Sequence, residues 1–277
     1  MSETGKDVHF HHEYSEKNEA LPISNHQSPI DILTKEAKYD SSFHPLLISY
    51  DPNTSNSIVN VGHCFNVEFE DKDDKSVLKG GPLTGSYRLH QFHFHWGLSD
   101  AAGSEHAVDG FRHSAELHIV HWNSDVYADF TQAQQNPDGL AVLAVFLKIG
   151  KANPGLQKLI EKLDEVKLKG KRCLFKSFDL SALLPQSWNY WTYPGSLTVY
   201  PFRECVTWIV LQEHITISSE QLAKFRTLHC TAEEEAAHYM LENNRSLQPL
   251  QAREVRTSVV NQNTTDVKPF YYSCHIL

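Results

Sequence analysis

Two alternating pairs, His93-Phe94-His95 and Glu116-Leu117-His118, set four side chains capable of chemistry into two short stretches of this chain. Residues at i and i+2 of a β-strand point to the same face. His93 and His95 therefore project together, and so do Glu116 and His118. Laid side by side, the two strands bring three imidazoles to one place with a carboxylate behind them. Three neutral histidines and an open fourth position form the ligand set of a catalytic zinc ion, Zn2+, which lowers the pKa of its bound water to about 7. Glu116 has a place in that scheme, because a metal-bound histidine usually donates its other ring N–H to a carboxylate or a carbonyl.

The flanking residues show what must position these pairs. From residue 88 to 96 the odd positions carry Gln91, His93 and His95, and the even ones carry Phe92, Phe94 and Trp96. From 114 to 122 the even positions carry Glu116, His118 and Val120, against Ala115, Leu117 and Ile119. Each reads as a strand with one functional face and one core face. A single histidine on a strand is more often a hydrogen-bonded structural residue than a ligand. Two such pairs on apolar strands reverse that preference.

Other segments supply the frame. Phe65-Asn-Val-Glu-Phe69 and residues 205–212 are further short alternating segments, and residues 140–148 are apolar on both faces, like a central strand. Leu156, Leu159, Ile160 and Leu163 recur at helical spacing, with Pro154 near the start, which predicts a helix over 154–166. A second helix is predicted over 218–228, opened by a Ser218–Gln221 capping box and burying Leu222 and Phe225. The fold class is α+β: a large twisted, mainly antiparallel β-sheet with peripheral helices. No internal repeat, low-complexity tract or linker interrupts it.

Composition narrows the partners. The 277 residues are 40% hydrophobic and 21% charged, with a formal net charge of −9, so no basic surface suggests nucleic acid. The 17 histidines suit proton or metal chemistry. The five cysteines are scattered, with no CxxC spacing, and do not form a disulfide framework. The first residues lack an apolar core of signal-peptide type, and no run of apolar residues is long enough to span a membrane. The protein is therefore expected to be soluble and cytoplasmic, a monomer without membrane attachment. The sequons at Asn53, Asn244 and Asn263 are then chance matches. Cys274-His-Ile-Leu277 has the form of a prenylation signal, but histidine is a poor second residue and no polybasic run precedes it, so it too reads as chance.

Several longer motifs resemble the α-class carbonic anhydrases. They are Gln91-Phe-His-Phe-His-Trp-Gly97, Gly103-Ser-Glu-His106, Ala115-Glu-Leu-His-Ile-Val-His-Trp-Asn123 and Tyr193-Pro-Gly-Ser-Leu-Thr198. The likeness runs from Gln27-Ser-Pro-Ile-Asp31 to Arg253-Glu-Val-Arg-Thr-Ser258, and within the family it is strongest to the soluble cytosolic isozymes. It implies a domain over 21–258, between a variable segment 1–20 that drapes over the surface and a tail 259–277 without family counterpart. It also implies the family's fold, with the site at the base of a cone. The implied activity is reversible hydration of carbon dioxide to bicarbonate, in which a zinc hydroxide attacks CO2.

By the same resemblance His93, His95 and His118 hold the zinc. Gln91 supports His93, the backbone carbonyl of Asn243 supports His95, and Glu116 stands behind the site. Thr198 accepts the proton of the zinc hydroxide and passes its own to Glu105. His63 shuttles the released proton to buffer. Val120, Val142, Leu197, Val206 and Trp208 form the apolar wall for CO2, with Val199 beside the substrate. Secreted members pair a cysteine near Leu21-Pro22 with one near Cys205; here the first is missing, so Cys205 is expected as a free thiol.

The chain also departs from the family. Residues 197–205 read Leu-Thr-Val-Tyr-Pro-Phe-Arg-Glu-Cys, where the family usually has Leu-Thr-Thr-Pro-Pro-Leu-Leu-Glu-Cys. Val199 removes a hydroxyl, Tyr200 and Phe202 enlarge the loop and are expected to narrow the mouth of the cone, and the Tyr200-Pro201 bond is expected to be cis as in the family. The N-terminus, with His9, His11 and His12, lacks the family's tryptophans and the tyrosine of the threonine network; Val8 or a neighbour takes that place. This altered loop keeps a second reading open, a catalytically impaired relative that uses the fold as a binding module. Such relatives lose zinc histidines, and all three are present here, which favours the enzyme. A third reading, zinc storage without turnover, gives no reason for Glu105 and Thr198.

Overall fold

The computed structural model describes residues 24–260. The expectations for Val8, for His9, His11 and His12, for the Asn263 sequon and for Cys274 lie outside those residues.

Alternation builds the centre of the molecule. Strands Tyr87–Trp96 and Ala115–Asn123 pair antiparallel, with His93 opposite His118 and His95 opposite Glu116. Phe92, Phe94, Trp96, Ala115, Leu117 and Ile119 all turn to the other side and are fully buried in one apolar cluster. Burying each large side chain contributes about 1.5–3 kcal/mol. A slip of one residue would push the histidines into this core and expose the aromatic rings. The core therefore locks the register, and the register places the ligands.

Strand Leu140–Ile149 lies next to the second histidine strand and divides its side chains between both faces. Ala141, Leu143 and Val145 join the first cluster, while Leu140, Val142 and Ala144 join a second with Val120, Val206 and Trp208. This is the two-sided burial expected of a central strand. Among the described residues the main sheet has 13 strands, and its order passes through Ser55–Asn60, Phe65–Phe69, Tyr87–Trp96, Ala115–Asn123, Leu140–Ile149, Val206–Leu211 and Tyr190–Gly195. Most pairs are antiparallel; Leu140–Ile149 runs parallel to Val206–Leu211 and to Ile215–Ile217, and Arg256–Thr257 parallel to Lys38–Tyr39.

The first predicted helix is α-helical over Pro154–Lys162, capped by Asn153, and tightens to a 3-10 turn over Leu163–Val166. Tightening of a last turn satisfies carbonyls that an α-helical end leaves free. The second is shorter than the pattern suggests, Ser219–Phe225, but its Ser218–Gln221 capping box is complete. Gln221 is buried, and its Oε1 accepts the N–H of Asn153 at 2.8 Å, which ties the two helices together. Both helices press Leu156, Leu159, Leu222 and Phe225 onto the first cluster. No described helix is long and apolar enough to cross a membrane.

One irregularity lies beside the site. Val120 pairs with Gln91 but His121 pairs with Leu89, so His90 is an extra residue on its strand. Such bulges re-aim side chains next to active sites. His90 stacks on Phe130 at 4.0 Å, and its Nδ1 meets Asp71 at 2.8 Å.

Leu143 tests the dependence on the central strand. Leu143→Ala is expected to cost about 2–5 kcal/mol, read as a fall in the urea unfolding midpoint.

Candidate active site and metal centre

The three histidines converge. His93 lies 5.0 Å from His95 and 5.3 Å from His118, and His95 lies 4.6 Å from His118, between ring centroids. One nitrogen from each ring falls within 4.8 Å of the others. Their remaining nitrogens all face acceptors. His93 Nδ1 meets Gln91 Oε1 at 3.0 Å, His95 Nδ1 meets the Asn243 carbonyl at 2.9 Å, and His118 Nε2 meets Glu116 Oε1 at 2.8 Å. Carbonyl and carboxylate oxygens only accept, so each outer nitrogen holds the proton and each inner one offers a lone pair.

These residues fit a metal ion. His95 Nε2 is buried and has no hydrogen-bond partner among the described residues. A buried nitrogen in that state is costly unless something takes its lone pair. Burial also holds the imidazoles of His93 and His95 below their ordinary pKa, and so neutral. Three neutral nitrogens suit zinc. A second cluster, His106, Glu116 and His118, could also hold a metal by proximity. Its atoms are already spent on one another, since His106 Nδ1 and His118 Nε2 both meet Glu116 Oε1, at 2.6 and 2.8 Å.

Glu116 does more than the sequence suggests. It is fully buried, and its Oε2 accepts the main-chain N–H groups of Glu105 and His106, at 2.9 and 2.8 Å. Burial alone would raise this carboxyl, but His106 and His118 hold it well below the usual carboxylate range. His106 Nε2 stands 2.6 Å from the Tyr193 hydroxyl, which is 2.9 Å from Ser28 Oγ. Sequence reading missed His106, Tyr193 and Ser28 as site supports. The adjacent Glu105-His106, with a second carboxylate on the facing strand, was the available signal.

Glu105 is fully buried beside the rings, with Oε1 3.3 Å from His95 Nδ1 and Oε2 3.9 Å from His118 Nδ1. Its Oε1 accepts the N–H of Arg245 at 2.9 Å, while Oε2 has no partner among the described residues. Thr198 is buried and lines the pocket, but it is not hydrogen-bonded to Glu105 in this structure. The pocket wall is Val120, Val142, Leu197, Val199 and Trp208, together with His93, His118 and Thr198. Val206, expected in the wall, is buried in the cluster that includes Val120, Val142 and Trp208 and does not line the pocket.

The altered loop, residues 199–203, follows Thr198. The Tyr200-Pro201 bond is cis, as expected. Neither Tyr200 nor Phe202 is among the residues that line the pocket. Tyr200 is 73% exposed, and Phe202 turns away beneath the Arg245 guanidinium, 3.8 Å from its ring centre. Phe202 does this in the left-handed region, at φ 58°. That conformation costs roughly 1–2 kcal/mol, and a cation–π contact returns about 0.5–2 kcal/mol.

His63 is exposed, and its carbonyl accepts from Asn243 Nδ2 at 3.0 Å, the same asparagine whose carbonyl holds His95. Burial by the surrounding walls, with His95 and Lys169 adding to it, pushes the pKa of His63 down to about 4. The exposure weighs more for a proton carrier, because a ring open to solvent does not bear that desolvation in full.

Two substitutions test the centre. His95→Ala is expected to abolish tight zinc binding, since two ligands do not close the site, and stoichiometric zinc in the purified variant would contradict the assignment. Glu116→Gln is expected to weaken zinc about 10–100-fold in chelator competition, the usual loss when a ligand's outer partner is removed.

Comparison with known proteins agrees with this geometry. The family model for eukaryotic-type carbonic anhydrase matches residues 9–259. Carbonic anhydrase 1 of Monodelphis domestica is 59% identical over 239 residues, covering 86% of this chain and 91% of that relative. A match across nearly the whole chain, at that identity, means that the chain belongs to the eukaryotic-type carbonic anhydrases, zinc-dependent enzymes that interconvert carbon dioxide and bicarbonate.

Proposed function

We propose that this chain hydrates carbon dioxide at the centre formed by His93, His95 and His118, with His63 carrying the released proton. The observation behind this reading is the set of three inward imidazole lone pairs, each fixed by an acceptor on the far nitrogen, at an apolar pocket. Bound there, zinc supplies a nucleophile at neutral pH by acidifying water.

The chain's residues do the rest. Val120, Val142, Leu197, Val199 and Trp208 receive carbon dioxide, which has no dipole and is held by apolar contact rather than hydrogen bonds. Glu105 Oε2, free of other partners, accepts the hydroxyl proton of Thr198. The Thr198 oxygen would then accept a hydrogen bond from the attacking hydroxide, which keeps its proton and is oriented toward carbon. Gln91, Asn243 and Glu116 keep the three rings from turning. His63, at the exposed rim, takes the proton that the cycle releases.

Every residue in this scheme comes from one chain, which supports action as a monomer, and all lie within 21–258, which we take as the catalytic unit. Cys64, Cys173, Cys205 and Cys230 are free thiols. That suits a reducing compartment, and we assign the protein to the cytoplasm, with a part in pH regulation. The binding-module reading has less support, because the departures at Tyr200 and Phe202 leave the pocket wall intact.

Zinc content and carbon dioxide hydration on the purified protein test the proposal together. Bound zinc with no hydration would return the binding reading. His63→Ala tests the proton path. It should leave kcat/KM for carbon dioxide nearly intact while lowering kcat in dilute buffer, and added imidazole should restore kcat. Undiminished kcat in weak buffer would remove His63 from the scheme.

A further inference from the structure

Asp109, Ser177, Phe202 and Gln251 are the described non-glycine residues with left-handed backbone, and only Phe202 is aromatic. A bulky residue there is strained and persists only where its surroundings hold it, and such outliers gather at functional sites. Besides an edge-to-face contact of its ring with Tyr200 at 6.2 Å, three contacts hold Phe202. Its N–H donates to the Val199 carbonyl at 2.8 Å, Gln27 Nε2 donates to its carbonyl at 3.1 Å, and the Arg245 guanidinium covers its ring at 3.8 Å.

Arg245 connects this loop to the chemistry. Its Nη1 donates to Gln27 Oε1 at 2.8 Å and to the Ser28 carbonyl at 2.7 Å, both neutral partners, while the ring face and the nearby Glu105 charge add electrostatic ones. Arg245 lies in irregular chain, where no strand ladder fixes its backbone. Arg112 Nη2 donates to its carbonyl at 3.1 Å. Its own N–H, at 2.9 Å from Oε1, is the only hydrogen-bond donor on the Glu105 carboxylate among the described residues. Apart from the close approach of His95 Nδ1 at 3.3 Å, that donor is what aims the carboxylate, and it aims it only as well as it is itself held.

We propose that Phe202 is a positioning residue for the hydration reaction: its ring holds the Arg245 guanidinium, which holds the Arg245 main chain, whose N–H holds Glu105 with Oε2 free for Thr198. This rests on the role given to Glu105 and Thr198 above. A ring that merely filled space in the loop would affect stability but neither kcat nor the Arg245 amide.

The test compares the purified full-length enzyme with Phe202→Leu, Phe202→Tyr, Arg245→Met and the Phe202→Leu/Arg245→Met double variant. The readouts are kcat and KM for carbon dioxide, zinc content, and hydrogen exchange of the Arg245 amide by NMR. Phe202→Leu and Arg245→Met should each lower kcat about tenfold, short of the roughly hundredfold that a 1 Å misplacement can cost, with KM and zinc unchanged. The Arg245 amide should exchange faster in both, while the Leu143 amide in the central strand does not change. Phe202→Tyr, which keeps the aromatic face, should restore both rate and protection. The double variant should be no slower than the worse single one, because both break the same series of contacts. Unchanged Arg245 exchange in Phe202→Leu overturns the proposal whatever the rate, and so do losses that multiply in the double variant. A parent enzyme without hydration activity would overturn the reading of Glu105 itself. The two failures are distinguishable, because amide exchange reads how firmly the Arg245 main chain is held and needs no hydration activity.

Discussion

A carboxylate with no water around it must be given donors, and Glu116 is given two imidazoles and two main-chain N–H groups. Without them its burial would cost several kcal/mol. Meeting that need shapes the neighbourhood. The backbone of Glu105 and His106 must come within hydrogen-bond reach of the second histidine strand, which carries the Glu105 carboxylate to the metal centre. His118 must present Nε2 to Glu116, which leaves Nδ1 facing inward, while His93 and His95 present Nε2. One buried charge thus sets a tautomer, a loop path and the place of a second carboxylate.

The site joins two kinds of backbone. The ligands stand on strands whose register is enforced by a core of aromatic and branched side chains. Asn243, Arg245 and Thr198 stand on irregular chain and need side-chain bonds to be held. Asn243 shows how this is done. Its Oδ1 accepts the Trp96 N–H at 2.8 Å and its Nδ2 donates to the Phe94 carbonyl at 3.0 Å, so an amide side chain takes the place of a neighbouring strand. Its carbonyl is then close enough to fix His95. Catalytic groups placed on loops are only as well aimed as these supports make them.

Legibility in the sequence followed this division. The alternation through Phe92, Phe94 and Trp96 was enough to predict which face His93 and His95 occupy, because period-two burial is a local rule. The capping box at Ser218 and the two-sided strand at 140–148 were legible for the same reason. The helix ends were less so, since whether a last turn tightens depends on what packs beyond it. The roles of His106, Tyr193 and Ser28 were not legible, because a network across three distant segments leaves no periodic trace. Phe202 was read by size alone; its direction is set by Arg245 and a left-handed backbone that no local pattern announces.

The distances along the chain between the site's parts have a meaning in time. His95 and the carbonyl that fixes it are 148 residues apart, and Arg245 and the Ser28 carbonyl it binds are 217 apart. A ribosome releases His95 long before it makes Asn243, whose carbonyl holds that ring, and Glu105 long before Arg245, whose N–H holds its carboxylate. During that interval the His95 ring lacks its acceptor, whereas the partners of His93, His118 and Glu116 all lie within residues 91–118. The parallel pairing of Leu140–Ile149 with Val206–Leu211 must also wait for the chain between them. Contacts of this range slow folding and leave strand edges open while they form. The centre in its finished form is therefore a late product of synthesis.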